Sequence, residues 1–335
     1  MRKRPIIAIT IGDINGIGPE VIVKALSKSA IRKACRPVIV GPTSVVEQQL
    51  KFVNQDLQLI EVSDLREREL SENEIEVLDA GTKEYLPSDL GEITTTGGEV
   101  AAKALEMAIN MAVVGKVDAM TTAPISKAAL NLAGYYYPGQ TELLAEKTHT
   151  DEVVMVLLSG DFRVGLVTTH CPIASVPRLL SKEKICKKIE ILNSDLQDRF
   201  KIPKPKIAVT ALNPHAGEGG MFGGEETETI QPAIHAAKNI GIEVEGPFPA
   251  DTLFARLQDN KFDAYLAMYH DQGLIPLKMS SFGRAVNYTA GLPIIRTSPD
   301  HGTAFDIVGK GVADSGSMVE AIKLAIAMAT KTDRR

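Results

Sequence analysis

Several features that mark common protein classes are missing from this chain of 335 residues. Tryptophan is absent, and the three cysteines, Cys35, Cys171 and Cys186, form no CxxC pair. Scattered cysteines in odd number are typical of a reducing compartment and not of a disulfide-rich secreted domain. We therefore expect a cytoplasmic protein.

The distribution of charge and of hydrophobic residues excludes two further classes. The formal net charge is −5 with no long run of one sign, so we expect no nucleic-acid-binding surface. Polar side chains at Lys103, Glu106 and Asn110 interrupt the apolar segment 100–114, which predicts an amphipathic helix and no membrane span. The basic start at residues 2–4 is not followed by an apolar signal segment.

Short apolar runs alternate with segments of helical period along the chain. The runs are almost continuously hydrophobic, which predicts strands buried on both faces of a sheet. They are residues 5–11, 37–40, 119–122, 153–158, 164–168, 207–211, 264–268 and 294–296. The predicted helices are residues 19–29, 97–115, 182–200, 225–240 and 317–329. This alternation predicts an α/β fold whose helices cover a mostly parallel sheet.

No change of composition marks a linker between independent domains. We therefore expect one domain over residues 1–335, built of two lobes around a cleft. Lobe one is predicted at about residues 1–130 plus 300–335, and lobe two at about residues 131–299. The polar region 63–74 is predicted to be a solvated excursion in the first lobe.

Three of the six histidines, His170, His215 and His270, each follow an apolar strand. Open α/β sheets bind ligands beyond the carboxyl ends of their strands, so three imidazoles there could converge on one divalent ion. Three protein ligands would leave a coordination position for a substrate. The alternative is that each is an ordinary hydrogen-bonded residue at a strand end, since their wide spacing matches no short metal motif.

Two loops and three cationic residues, Lys278, Arg284 and Arg296, could contact an anion. Segment 12–20 (GDINGIGPE) lacks the GxGxxG spacing of a dinucleotide-binding loop, and the chain contains no GxxxxGKS/T motif. The segment is either a tight turn or an anion site at a helix start. Segment 216–224 (AGEGGMFGG) is either a lid or a flexible connection. Lys278 and Arg296 carry the charge that phosphate or carboxylate requires, although each alone is more often a surface residue.

Longer segments, in matching order and spacing, carry a family resemblance over almost the whole chain. They are GDINGIGPE (12–20), TAPISKAAL (122–130), GQTELLA (139–145), TTHCPIASVP (168–177), LNPHAGEGGMFGGEE (212–226), GPFPADTLF (246–254), YHDQGLIPLK (269–278) and RTSPDHGTAFDIVGKG (296–311). In these segments the chain resembles the 4-hydroxythreonine-4-phosphate dehydrogenases of pyridoxal phosphate biosynthesis. The resemblance implies an α/β/α fold similar to that of the isocitrate and isopropylmalate dehydrogenases.

The resemblance also implies an activity and a set of site residues. The 3-hydroxyl of 4-phosphooxy-L-threonine would be oxidised with NAD(P)⁺, and loss of CO₂ would give 3-amino-2-oxopropyl phosphate. A divalent ion, Zn, Mg or Co, would be bound by His170, His215 and His270. The enzyme would be a homodimer with a shared active site, in which His270 reaches the metal of the partner subunit. The implied substrate contacts are Gln140, Thr141, Lys278, Asn287 and Arg296.

A second resemblance concerns the cofactor. Segment 300–310 (DHGTAFDIVGK) looks like the HGSAPDIAGK loop that holds the adenosine of NAD in isocitrate and isopropylmalate dehydrogenases. It implies NAD or NADP, bound by Asp300, His301, Gly302, Thr303 and Asp306. Proton transfer requires a further group, and Asp251, Asp271 and Lys278 are unranked candidates.

One departure from the family leaves the substrate open. Gln140 stands where the family has the histidine of GHTE, and glutamine cannot carry a positive charge. The alternative is the same chemistry on a phosphorylated tetronate, 4-phospho-D-threonate or 4-phospho-D-erythronate. Outside this class, a metal-dependent phosphatase or acyltransferase and a non-catalytic binding protein are alternatives. The loop 300–310 argues against the phosphatase or acyltransferase. The set of histidines with Lys278 and Arg296 argues against the binding protein.

Overall fold

The computed structural model describes residues 4–66, 68–81, 89–137, 139–259 and 262–331. Two compact units make up the chain. The first contains Met1–Asp151 and Leu292–Arg335, and the second contains Glu152–Gly291. Each unit has a sheet with helices packed on it, which confirms the predicted α/β class.

The first unit has an all-parallel sheet with the strand order β3-β4-β2-β1-β5-β12. Its strands are β1 (Ile6–Thr10), β2 (Arg36–Val40), β3 (Gln58–Val62), β4 (Glu74–Leu78), β5 (Ala119–Thr122) and β12 (Arg296–Pro299). Its helices are α1 (Gly18–Leu26), α2 (Ser29–Ala34), α3 (Thr43–Phe52), α4 (Thr95–Val113), α5 (Lys127–Leu132), α6 (Gln140–Lys147) and α12 (Gly316–Lys331).

The second unit has a mixed sheet with the order β11-β6-β7-β10-β8-β9, in which β6 is antiparallel to both neighbours and the other pairs are parallel. Its strands are β6 (Val154–Ser159), β7 (Phe162–Leu166), β8 (Lys206–Thr210), β9 (Glu243–Phe248), β10 (Ala264–Ala267) and β11 (Val286–Ala290). Its helices are α7 (Val176–Leu179), α8 (Lys182–Asp198), α9 (Gln231–Asn239), α10 (Ala250–Ala255) and α11 (His270–Ser281). A 3-10 turn (Ile173–Ser175), the turn Pro214–Gly220 and a π-helical turn (Glu226–Ile230) complete the unit.

The boundaries between the two compact units differ from the lobe boundaries that the sequence suggests. The chain leaves the first unit after Asp151 and returns at Leu292, whereas the sequence placed these boundaries near residues 130 and 300. Two contacts within the first unit account for the difference, since α6 packs on α4 and β12 pairs with β5. No helix in the described ranges is long and apolar enough to cross a membrane.

A buried ion pair joins β2 to β4 in the first unit. Arg36 Nε and Nη2 donate to the two carboxylate oxygens of Glu76 over 2.6 and 2.7 Å. The Glu76 side chain is 1% exposed, and that of Arg36 is 9% exposed. Because neither charge reaches bulk water, each depends on the other for compensation.

Replacing Glu76 by Gln should lower the free energy of unfolding by about 3–5 kcal/mol, because the buried guanidinium loses its counter-charge. Chemical denaturation measures the change. The matched control is Asp64→Asn. Asp64 forms an ion pair with Lys116, and the two side chains are 50% and 52% exposed. That variant should lose no more than about 1 kcal/mol. Equal losses in the two variants would contradict this account of the ion pair.

Candidate active site

The three histidines singled out by the sequence all lie in the second unit. Strands β7, β10 and β8 are neighbours and run parallel, so their carboxyl ends meet at one edge of the sheet. His170 follows β7, His215 follows β8, and His270 is the first residue of α11, after β10. The topology therefore brings all three segments to the same edge.

Two of the three imidazoles are close together within one chain. The ring centres of His170 and His270 are 5.6 Å apart. Two imidazoles on one tetrahedral ion, with metal–nitrogen distances of about 2.0–2.1 Å, would have ring centres about 5 Å apart. His270 Nδ1 lies 2.7 Å from Asp271 Oδ1, so Nε2 is the nitrogen placed to bind a metal. Carboxylate–histidine pairs of this kind orient metal-binding rings.

The third imidazole belongs to a different local environment. The ring of His215 lies 6.1 Å from the ring of Phe222, centre to centre. Within the described ranges, no group of three or more His, Cys, Asp or Glu side chains gathers closely enough to hold a metal ion. One chain thus pairs two of the expected ligands, and the complete set of three is not assembled in the part of the chain that is described.

The candidates for proton transfer occupy exposed positions on two helices of the second unit. Asp251 lies in the first turn of α10 and Lys278 in the last turn of α11, and both are exposed. Asp271 is 72% exposed and is bound to His270. Asp271 therefore differs from Asp251 and Lys278, because its carboxylate is hydrogen-bonded to the imidazole of His270.

Asn287 lies on β11 with its side-chain Oδ1 buried and without a hydrogen-bond partner. Buried polar atoms are nearly always paired, so an orphaned oxygen at a residue expected to bind substrate fits a role toward a ligand.

In the first unit, Arg296 and Gln140 form one buried network. Arg296 is 2% exposed, and its Nε and Nη2 donate to Thr122 Oγ1 over 3.1 and 2.7 Å. Nη2 also donates to Gln140 Oε1 over 2.9 Å, while Gln140 Nε2 donates to the carbonyl oxygen of Ala123 over 3.3 Å. Both polar ends of Gln140 are thus bound to protein, and its carbonyl orients the guanidinium.

Burial also affects the charge of this network. It lowers the pKa of Arg296 to about 10, and the neighbouring Glu142 opposes the shift. Arg296 therefore remains a cation at neutral pH.

The start of α6 lies beside this network. Gly139 is the N-cap without a side-chain hydrogen bond, and Gln140 and Thr141 are the first helical residues. Backbone N–H groups at a helix start lack partners within the helix and attract anions. Gln140 thus connects a buried cation to a helix N-terminus.

The loop expected to bind the cofactor is fixed within the first unit. The backbone N–H of Ile17 donates to the carbonyl oxygen of Thr303 over 3.0 Å, and a Cβ at Gly16 would lie 3.0 Å from Thr303. His301 Nδ1 lies 3.0 Å from Gly302 O, while His301 Nε2 is buried without a hydrogen-bond partner. Segment 12–20 is buried throughout and packs against this loop through Gly16 and Ile17.

Two further residues stabilise the segments that carry the histidines and were not identified from the sequence. Gln272 Oε1 accepts from Met268 N and Thr210 Oγ1, each over 2.7 Å, and Nε2 donates to Ala211 O over 2.6 Å. Gln272 therefore ties the start of α11 to the end of β8. The second residue, Glu226, binds the segment before His215. Gln272 lies in segment 269–278 and Glu226 in segment 212–226, and this position within the family motifs was the only sequence feature that could have identified them.

Comparison with known proteins decides the family. Residues 33–325 match the family of the pyridoxal phosphate biosynthetic protein PdxA. The chain belongs to this family. It is 46% identical to the 4-hydroxythreonine-4-phosphate dehydrogenase of Trichlorobacter lovleyi over 97% of this chain and 98% of that protein. It is 44% identical to the D-threonate 4-phosphate dehydrogenase of Cupriavidus necator over 98% of each chain.

Solved structures agree with this membership. The crystal structure of 4-hydroxythreonine-4-phosphate dehydrogenase from Klebsiella pneumoniae has a TM-score of 0.89 and 40% identity, over 98% of this chain and 99% of that chain. This chain is therefore an oxidoreductase, as expected, and the phosphatase, acyltransferase and non-catalytic alternatives are set aside.

Likeness of fold alone would not have decided the reaction. The EutD phosphotransacetylase from Staphylococcus aureus has a TM-score of 0.57 with 13% identity, over 97% of this chain and 94% of that chain. Such a similarity concerns the fold only, and the reaction class rests on the family.

Proposed function

We propose that the chain oxidises the 3-hydroxyl of a 4-phosphorylated four-carbon hydroxy acid and that the resulting 3-oxo acid then loses CO₂. The leading substrate is 4-phosphooxy-L-threonine, which would yield 3-amino-2-oxopropyl phosphate. A phosphorylated tetronate, 4-phospho-D-threonate or 4-phospho-D-erythronate, is the alternative. The placement of His170, His215 and an Asp271-oriented His270 beyond the carboxyl ends of neighbouring parallel strands is the observation that carries the proposal.

The donor chemistry of the histidines fits a divalent ion. Imidazole nitrogen suits Zn and Co, whereas Mg prefers oxygen ligands. His170, His215 and His270 would hold the ion, and Asp271 would fix the ring of His270. When bound, the ion supplies Lewis-acid chemistry, which lowers the pKa of the substrate hydroxyl and stabilises negative charge on that oxygen.

The anionic groups of the substrate require cations and N–H donors. On the first unit, the start of α6 at Thr141 and the buried cation Arg296 would bind one such group. On the second unit, Lys278 would supply a point charge and Asn287 a polar side chain. Gln140 contributes through Arg296, since both of its polar ends are bound to protein.

Proton transfer is proposed for the two exposed candidates. Asp271 is engaged with His270, which favours orientation of the ring over exchange of protons. Asp251 would accept the proton of the 3-hydroxyl during oxidation, and Lys278 would deliver a proton to carbon after CO₂ departs. Both groups are exposed and can exchange protons with water.

Hydride transfer requires an acceptor, and a nicotinamide cofactor, NAD or NADP, is proposed for segment 300–310. Asp300, His301, Gly302, Thr303 and Asp306 are the contacts expected there. The buried and unpartnered Nε2 of His301 supports a ligand at this loop.

A homodimer with a shared active site is proposed as the active form. Helix α11 begins at His270 and leaves Ile275, Met279 and the C-cap residue Phe282 exposed to 58%, 74% and 88%. Three large apolar side chains along one helix favour burial by another protein surface. A second copy would cover them and bring the helix of His270 to the interface. A cytoplasmic location remains a prediction.

An assay across a small panel of substrates tests the proposed reaction. Formation of NADH or NADPH is followed with 4-phosphooxy-L-threonine, 4-phospho-D-threonate and 4-phospho-D-erythronate, with and without chelator. We expect turnover of at least one substrate, loss of turnover with chelator, and recovery on adding Zn or Co. Full activity in chelator would contradict the metal, and no turnover of any substrate would contradict the substrate class.

Replacing Gln140 by Leu tests its role beside Arg296. We expect the KM for the phosphorylated substrate to rise about tenfold with a smaller change in kcat, because a charge-assisted hydrogen bond is lost. The control is Gln197→Leu, at an exposed position on α8, which should change neither constant. In an Arg296→Lys background the Gln140 substitution should add little. Fully additive effects would mean that Gln140 contacts substrate itself.

A further inference from the structure

The turn Pro214–Gly220 has an unusual backbone. His215, Ala216, Gly217, Glu218 and Gly219 have φ angles of 52°, 53°, 78°, 43° and 65°. Three of these five residues are not glycine, and the left-handed conformation of each costs roughly 1–2 kcal/mol of conformational free energy. Successive residues of this kind persist only where the surrounding structure holds them.

The carboxylate of Glu226 supplies that support. Glu226 is 2% exposed and lies in the π-helical turn that follows the glycine-rich segment. Its Oε1 accepts from the backbone N–H groups of Leu212 and Asn213 over 2.9 and 2.7 Å. Its Oε2 accepts from Asn213 Nδ2 over 3.1 Å. One buried carboxylate thus fixes the residues that lead directly into His215.

The same carboxylate also contacts the turn itself. A Cβ built on Gly217 would lie 2.6 Å from Glu226 Oε2, so a side chain there would displace the carboxylate, and the φ of +78° also favours glycine. The carboxylate is therefore packed against the turn and hydrogen-bonded to the two residues that precede it. Loss of the carboxylate would remove three of the hydrogen bonds that hold the segment before His215.

We propose that Glu226 is a positioning residue that holds His215 in a metal-binding orientation before any metal arrives. The inference rests on the proposed role of His215 as a ligand. Because the orientation is set in the metal-free protein, binding need not order the turn, and affinity is correspondingly higher. Segment 216–224, which the sequence left as either a lid or a flexible connection, is on this account a rigid ligand support.

The test compares Glu226→Gln with the matched control Glu228→Gln, at an exposed position two residues along the chain. Gln at position 226 places an amide NH₂ against Asn213 Nδ2, so that two donors face each other. Co²⁺ is the probe, and its visible absorption is titrated. Wild type and Glu228→Gln should bind equally, His215→Ala should lose binding, and Glu226→Gln should bind about 10- to 100-fold more weakly.

Hydrogen exchange of the metal-free proteins gives a second readout that does not depend on activity. The amides of Leu212 and Asn213 should be protected in wild type and in Glu228→Gln, and should exchange faster in Glu226→Gln while the strands stay protected. This pattern separates a local release of the turn from global unfolding.

The outcomes are distinguishable. Wild-type Co²⁺ affinity in Glu226→Gln overturns the inference alone. Co²⁺ binding that survives in His215→Ala overturns the proposed ligand, and the inference with it. If Glu226→Gln does not fold, Asn213→Ala removes the side-chain amide that binds both Glu226 and Glu225, and Glu225→Gln controls for the second of these bonds. Asn213→Ala should weaken Co²⁺ binding several-fold, and unchanged affinity would overturn the inference.

Discussion

Metal coordination sets the constraint on which the rest of this account depends. An ion such as Zn²⁺ is bound by histidines only where their nitrogen atoms converge to within about 2.0–2.1 Å of one point. The parallel strands β7, β10 and β8 bring three histidine-bearing segments to one sheet edge, but the described part of the chain gathers no group of three ligands. The ring centres of His170 and His270 are 5.6 Å apart. A second copy, docked on the exposed apolar side chains of α11, is our proposal for how the set is completed.

Orientation of the charged groups relies on neutral amides and buried carboxylates nearby. Gln140 directs Arg296, Gln272 fastens the start of α11, and Glu226 holds the segment before His215. Each of these side chains is hydrogen-bonded to neighbouring protein groups and restricts their positions. Substitution of such residues is expected to change affinity more than fold, because the strands that carry the site remain intact.

Much of this arrangement was visible in the sequence. The predicted strands all overlap observed ones, since runs of buried aliphatic residues mark strands covered on both faces. Strands β3, β4 and β9 were missed because charged residues interrupt their apolar pattern, and the short strand β11 was also missed. Helix α11 was missed because it contains Gly273 and Pro276, yet a Cβ at Gly273 would lie 2.5 Å from Val164 Cγ1, so close packing requires the glycine. The bond between Gln140 and Arg296 joins residues 156 positions apart, and no local pattern announces it.

Mixing subunits with His215→Ala and subunits with His270→Ala tests the shared site most directly. Each variant alone should be inactive, since each site then lacks one ligand. If His215 and His270 serve one ion from opposite subunits, every mixed dimer keeps one complete site, and random reassociation restores about a quarter of wild-type activity. Activity in the mixture no greater than that of either variant alone, with mixed dimers shown to form, would contradict the shared site.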